Sequence, residues 1–371
     1  MLYIHIPYCH HRCTYCAFYS NASRSGVPDT YVDALCHEIG MRASHQPVET
    51  VYLGGGTPSL LSSQQFDKVM QALAEAFVLD GLQEFTLECN PEDLPPHQPA
   101  STLFSFLSSP VNRLSIGIQS FRDDDLRLLN RSHTGRQAIA AVEHAAAGIA
   151  NISVDLIYGL PGQSLSNWQE NLRIVESLPV THLSCYSLAV EEGTILRRQI
   201  TRGIVPPAGD DEALSHYHYL LEWAEQHHFH QYEVSNFCRT GYPSRHNSAY
   251  WHRTPYMGFG AGAHSFDGVR RRWNICDAAR YIESLSAASP CVLFQEETLS
   301  AEDACNEVVM LGLRTVAGIC KGDIPPPFLP IIQKKLRPFI LNRLVIDSAT
   351  HFRPTPDGLL HADGIAADIM L

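Results

Sequence analysis

Short apolar and β-branched runs alternate with longer helical patterns along the first half of this 371-residue chain. The runs fall at 3–6, 50–53, 84–88, 113–118, 152–158 and 182–188. Between the second and third, residues 62–77 carry Phe66, Val69, Met70, Leu73 and Phe77 at helical spacing; 135–147 and 166–178 read the same way. Strands separated by helices run parallel, because a crossover of that length returns the chain to the same end of the sheet, and such crossovers are right-handed. The expected fold is α/β, either a doubly wound sheet or a partial barrel. Proline-rich stretches interrupt the pattern at 95–99, 206–207 and 325–327. After about Trp273 it changes to helices followed by a short β-rich end at 343–360, so the chain is expected to divide into 1–272 and 273–371.

Composition narrows the function classes. Hydrophobic residues at 45% and charged residues at 18% describe an ordinary globular chain, without an apolar run long enough to span a bilayer. Only Met1 and Leu2 precede Tyr3, so no cleavable leader is expected. Eleven cysteines, an odd number, with no export signal point to reduced thiols and a cytoplasmic protein. The net charge of −12 argues against a nucleic-acid partner, which would require a concentrated basic face.

Directly after the first run come Cys9, Cys13 and Cys16, at C-x3-C-x2-C spacing. Three thiols so placed can converge on one inorganic core. A structural zinc site would need a fourth ligand, for which His5, His10 or His11 are candidates. A [4Fe–4S] cluster held by three cysteines instead keeps one iron open, and an open iron can chelate the amino and carboxylate groups of S-adenosylmethionine (SAM). The cluster reading is preferred, because the rest of the chain supplies matching polar groups.

Those groups gather where strands end, the usual place for function in parallel α/β folds. The second run ends in Gly54-Gly55-Gly56-Thr57-Pro58 and the third in Glu88-Cys89-Asn90-Pro91. The fourth leads to Gln119, and Asp155 sits inside the fifth, where an acid in an apolar strand needs a ligand or hydrogen-bond partner. Arg131 could pair with a carboxylate. Together these offer an acid for an ammonium, a base for a carboxylate and polar groups for ribose hydroxyls.

The assembled motifs resemble the HemN/HemW branch of radical SAM proteins through nearly the whole chain. They include Tyr3-Ile-His-Ile-Pro-Tyr-Cys9, Gly-Gly-Gly-Thr-Pro-Ser, Arg113-Leu-Ser-Ile-Gly-Ile-Gln-Ser-Phe and Asp155-Leu-Ile-Tyr-Gly-Leu-Pro-Gly. The resemblance implies a partial (β/α)6 barrel with SAM at its mouth, followed by a C-terminal helical, winged-helix-like domain. It implies SAM contacts from Tyr3, Gly55, Gly56, Thr57, Glu88, Arg131, Gln119 and Asp155, with the backbone near Ala189 and His264 at the adenosine and Tyr15 beside the cluster. HemN-type coproporphyrinogen dehydrogenases carry a further cysteine where this chain has Phe18, and a long arm before the first strand that it lacks. Instead His246-Asn247-Ser-Ala-Tyr250-Trp251 resembles the H-N-x-x-Y-W signature of HemW-type haem chaperones, and His246 would be a haem ligand on a loop near the barrel mouth. The function so implied is haem binding and delivery to haemoproteins, respiratory and membrane-associated ones included, by a chain that is a homodimer or a monomer and that docks peripherally on a membrane or stays free. The alternative is oxygen-independent coproporphyrinogen III oxidation.

Overall fold

The computed structural model describes residues 1–94 and 109–371; the proline-rich break expected at 95–99 lies outside them. Six parallel strands organise the first part of the chain: β1 (Leu2–Ile6), β2 (Thr50–Gly55), β3 (Glu84–Cys89), β4 (Arg113–Gln119), β5 (Asn151–Tyr158) and β6 (His182–Ser187). Their spatial order equals their chain order. A doubly wound sheet reverses direction partway, whereas this one winds one way throughout, as barrels do. Met257–Phe259 adds a parallel strand beside β1, and the short strands Asn236–Cys238 and His230–Gln231 continue antiparallel beyond β6. The sheet stays open, a partial barrel.

Alternation along the strands explains the layering. Val51, Leu53, Phe85, Leu87, Leu114, Ile116, Ile152, Val154, Leu156 and Leu183 are all fully buried on one face. They share a core with Phe66 and Leu73 of the helix Ser63–Ala76, Val142 of Gly135–Ala146, and Trp168 and Leu172 of Leu165–Glu176. Each such side chain contributes roughly 1.5–3 kcal/mol by leaving water. The intervening residues face the other way, and they are polar: Thr50, Tyr52, Glu84, Thr86, Glu88, Arg113, Ser115, Ser153, Asp155, His182 and Ser184. The sheet thus has an apolar face under its helices and a polar, charged face opposite.

The first hydrophobic core continues past residue 273. Trp273 lies within the strand Arg270–Asn274, which pairs with Phe294–Thr298, and the helix Ala278–Ser286 packs Tyr281 and Leu285 into the first core. Buried Glu38, on the helix Asp29–Met41, makes that attachment. It accepts hydrogen bonds from Tyr281 Oη (2.6 Å), Asn274 Nδ2 (2.8 Å), the Gly260 amide (2.9 Å) and Arg42 Nη1 (2.7 Å). A separate core begins at Cys305, where the helices Ala301–Leu313, Leu329–Leu341 and Ala362–Ile369 cover a three-stranded antiparallel sheet (Ile319–Cys320, Val345–Asp347, His351–Pro354). Helices against a small sheet match the winged-helix-like end expected. Glu38→Ala should lower unfolding stability by about 3–5 kcal/mol in urea titrations, because Arg42 is left without its buried partner.

Candidate functional site

A cavity of about 520 Å³ opens at the C-terminal ends of the strands, within the range of small-molecule sites. Cys9, Cys13 and Cys16 line it together. The loop that carries them is pinned rather than free. Cys9 belongs to a short parallel pair, Tyr8–Cys9 with Asn21–Ala22. Thr14 is tied through its amide to the Leu129 carbonyl (3.1 Å) and through its hydroxyl to that of Leu128 (2.9 Å). Burial pushes the Cys9 and Cys16 thiols up, and a bound metal core would reverse that direction by holding them as thiolates. Arg131 Nη1 sits 3.3 Å from Cys13 Sγ, while its buried Nε has no partner. Three thiols on one wall, with a guanidinium beside them, fit a multinuclear iron–sulfur core. Of the histidines that could complete a zinc site, His5 is engaged with the Tyr3 hydroxyl (2.8 Å) and the Tyr19 carbonyl (3.5 Å), while His10 and His11 line the cavity with the thiols.

The opposite wall comes from the polar face of the sheet. Glu88 accepts from Tyr52 Oη at 2.7 Å and from the Gly55 amide at 3.0 Å. Burial nevertheless raises its carboxyl to about 7, the Tyr52 bond opposing and nearby Asp155 adding to the rise. Asp155 is also raised by burial, against hydrogen bonds from Ser184 and Ser115, the Ser115 hydroxyl lying 3.2 Å from Oδ1. Arg131 Nη2 reaches Asn90 Oδ1 (2.6 Å) and the Gly117 carbonyl (2.5 Å), and Asn90 Nδ2 donates to Thr57 Oγ1 (3.1 Å). Gln119 ends β4 at φ +68°, where the β4–β5 register shifts; strain of this kind in a non-glycine residue costs on the order of 1–3 kcal/mol and is concentrated at ligand sites. Tyr15, Ile157 and Leu188 supply an apolar side, packed with Leu129 and Leu160. Gly55, Gly56, Thr57 and Ala189 complete the set that the sequence singled out.

The glycines also have a packing reason. A Cβ on Gly56 would lie 2.5 Å from the Tyr8 carbonyl oxygen, and one on Gly55, at φ +115°, 2.6 Å from the His5 ring. They let β2 approach the cysteine loop. Asn90, Ser115, Ser184 and Tyr52 were missed individually. The signal was available: each lies two residues from a charged or polar position on the same strand face or its immediate continuation.

Several expected residues lie elsewhere. Tyr3 is below the cavity on β1, and His264 is exposed, its ring stacked 5.9 Å from that of Trp273. The signature His246, Asn247, Tyr250 and Trp251 forms the helix Arg245–Trp251 at the N-terminal ends of the strands, neither a loop nor near the mouth. His246 is fully buried, with Nδ1 2.9 Å from Thr50 Oγ1 and Nε2 3.1 Å from Tyr250 Oη. Both ring nitrogens are occupied, so the geometry does not fit axial ligation of haem iron, and burial lowers this histidine to about 3, holding it neutral.

Glu88 carries a pH consequence. Its folded value lies above the ordinary carboxylate value of 4.5, so the folded state retains a proton that the unfolded chain loses. Stability therefore falls as pH rises from about 4.5 through 7. Glu88→Gln should be more stable than the native chain at pH 8, by roughly 2–3 kcal/mol, with the gain vanishing near pH 4. Urea unfolding at both pH values checks this.

Comparison with known proteins places this geometry in a family. The model of the radical SAM superfamily matches residues 3–175, and that of the HemN C-terminal domain matches 299–361, the segment with its own core. The haem chaperone HemW of Bacillus subtilis is 36% identical over 324 residues, covering 86% of this chain and 84% of its own. HemW of Mycobacterium tuberculosis is 37% identical over 327 residues, 86% of this chain and 82% of its own. The mitochondrial radical S-adenosyl methionine domain-containing protein 1 of Danio rerio is 39% identical over 332 residues, 86% of this chain and 73% of its own. Among solved structures, coproporphyrinogen III oxidase (HemN) from Escherichia coli superposes with a TM-score of 0.85 at 24% identity, covering all of this chain and 89% of that one, which establishes the shared fold. The chain belongs to the HemW family of radical SAM proteins.

Proposed function

We propose that this protein is a haem chaperone that holds a [4Fe–4S] cluster on Cys9, Cys13 and Cys16, takes SAM in the adjoining cavity, and passes haem to haemoproteins. The observation that carries the function is the similarity to HemW chaperones at 36–37% identity over 85–86% of the chain. The shared fold with HemN does not separate the chaperone from the oxidase. In this reading Glu88 receives the SAM ammonium and Arg131 its carboxylate. Asp155 and Gln119 hold the ribose, and the apolar side formed by Tyr15, Ile157 and Leu188 meets the base. A reduced cluster supplies an electron for sulfonium chemistry; the chain's own residues bind, orient and keep water from the site. The protein works in the cytoplasm. No helix among the described residues is long and apolar enough to cross a membrane, so a membrane-bound recipient would be met from the surface.

Anaerobic reconstitution should load about four irons per chain. Ala in place of Cys9, Cys13 or Cys16 should abolish loading, whereas Cys36→Ala and Cys185→Ala should not. Asp155→Ala should weaken SAM binding about tenfold or more, the cost of a lost buried charge-assisted hydrogen bond. The decisive assay runs haemin titration, transfer to an apo-haemoprotein and coproporphyrinogen III turnover side by side. Stoichiometric haem binding with transfer and no turnover is expected. Efficient SAM-dependent decarboxylation of coproporphyrinogen III would replace the chaperone with the oxidase.

A further inference from the structure

The lower end of the sheet's polar face holds a cluster that the cofactor cavity does not use. Buried Glu84, at the start of β3, accepts from the backbone amides of Arg245 (2.7 Å) and His246 (2.9 Å) and from Ser244 Oγ (3.2 Å). One carboxylate thus takes up donors that the first turn of the helix Arg245–Trp251 would otherwise leave unsatisfied. That fixes His246 between Thr50 and Tyr250, with its ring centroid 5.1 Å from that of Tyr52. Tyr52 is the next residue after Thr50 on the same face of β2, and its hydroxyl donates to Glu88. Gly54, two residues further on, makes room for the pair: a Cβ there would lie 2.7 Å from Tyr52 Cε1 and 3.1 Å from Glu88 Oε2. The ring of Tyr3, 6.1 Å away, is a further neighbour of the tyrosine.

We infer that His246 is a positioning residue for the ligand cavity: held by Glu84, Thr50 and Tyr250, it sets the Tyr52 ring, and Tyr52 in turn sets the Glu88 carboxylate. The inference rests on the reading of Glu88 as the acceptor for the SAM ammonium. An acceptor already oriented loses less freedom when its ligand arrives, so loosening any link of this chain weakens binding although the link touches no ligand. The H-N-x-x-Y-W signature then acts on the cavity from the opposite end of the strands, through one tyrosine.

Equilibrium dialysis of SAM against the anaerobically reconstituted full chain tests this. Glu88→Ala comes first; unchanged affinity there ends the site reading itself. With Glu88 established, Tyr52→Phe and His246→Ala should each weaken SAM binding about 3- to 10-fold, because the ammonium acceptor stays in place but is less well oriented. Because both act through one bond, the double variant should be no weaker than the worse single variant. His246→Gln, whose amide can meet both Thr50 and Tyr250, should restore binding. If His246→Ala fails to fold, Thr50→Val removes one of the imidazole's partners at nearly constant shape and should still weaken binding measurably. Native affinity in His246→Ala, or in Thr50→Val where the first does not fold, overturns the inference, as do additive losses in the double variant or failure of His246→Gln to restore binding.

Discussion

Charge buried on one face of the sheet is the constraint to which the rest of this structure answers. β3 and β5 hold Glu88 and Asp155 on that face, and a buried carboxylate without a matching charge costs several kcal/mol. Arg113, 1% exposed on β4 between them, supplies part of the balance; its Nη1 lies 3.5 Å from Thr86 Oγ1 and its Nε has no partner. Arg131 supplies more from the rim, but it is already committed to Asn90, the Gly117 carbonyl and Cys13. Both acids remain raised by burial. A ligand carrying an ammonium would complete this balance, so the cost of burying the two acids and the affinity of the site have one origin.

The fold was legible because its signal is repetitive. All six strands lie within two residues of their expected bounds, and the helices Ser63–Ala76 and Gly135–Ala146 within one. The strand–helix pattern alone left doubly wound and barrel-like sheets open, since each unit looks the same locally whichever direction the next one takes, and it was the motif resemblance that pointed to the partial barrel. That the first core continues past 273 was not legible for a related reason. Tyr281 and Asn274 attach their segment to the first core through Glu38, a contact across more than 230 residues that local pattern does not carry.

At the site, the structure gathers one set of the expected residues around the cavity and holds another set away from it. The three cysteines, Glu88, Gln119, Arg131 and Asp155 converge because parallel strands deliver their C-terminal ends to one place. His246 was expected at the same mouth because its motif resembles the H-N-x-x-Y-W signature and histidine is a common haem ligand. Its helix instead closes the opposite end, where Glu84 receives its amides. Likeness of motif named a partner; only the topology says which end of the strands the residue occupies. The glycine run shows the same limit, its purpose being close packing against Tyr8, His5 and Tyr52.

The most direct test of this account is pulsed electron–nuclear double resonance on the reduced, reconstituted protein with SAM labelled with 15N at its amino group. The account predicts a resolved 15N coupling to the cluster, present in the native chain and lost or strongly altered in Glu88→Ala. SAM that binds with native affinity while showing no 15N coupling, or a coupling indifferent to Glu88, would contradict it.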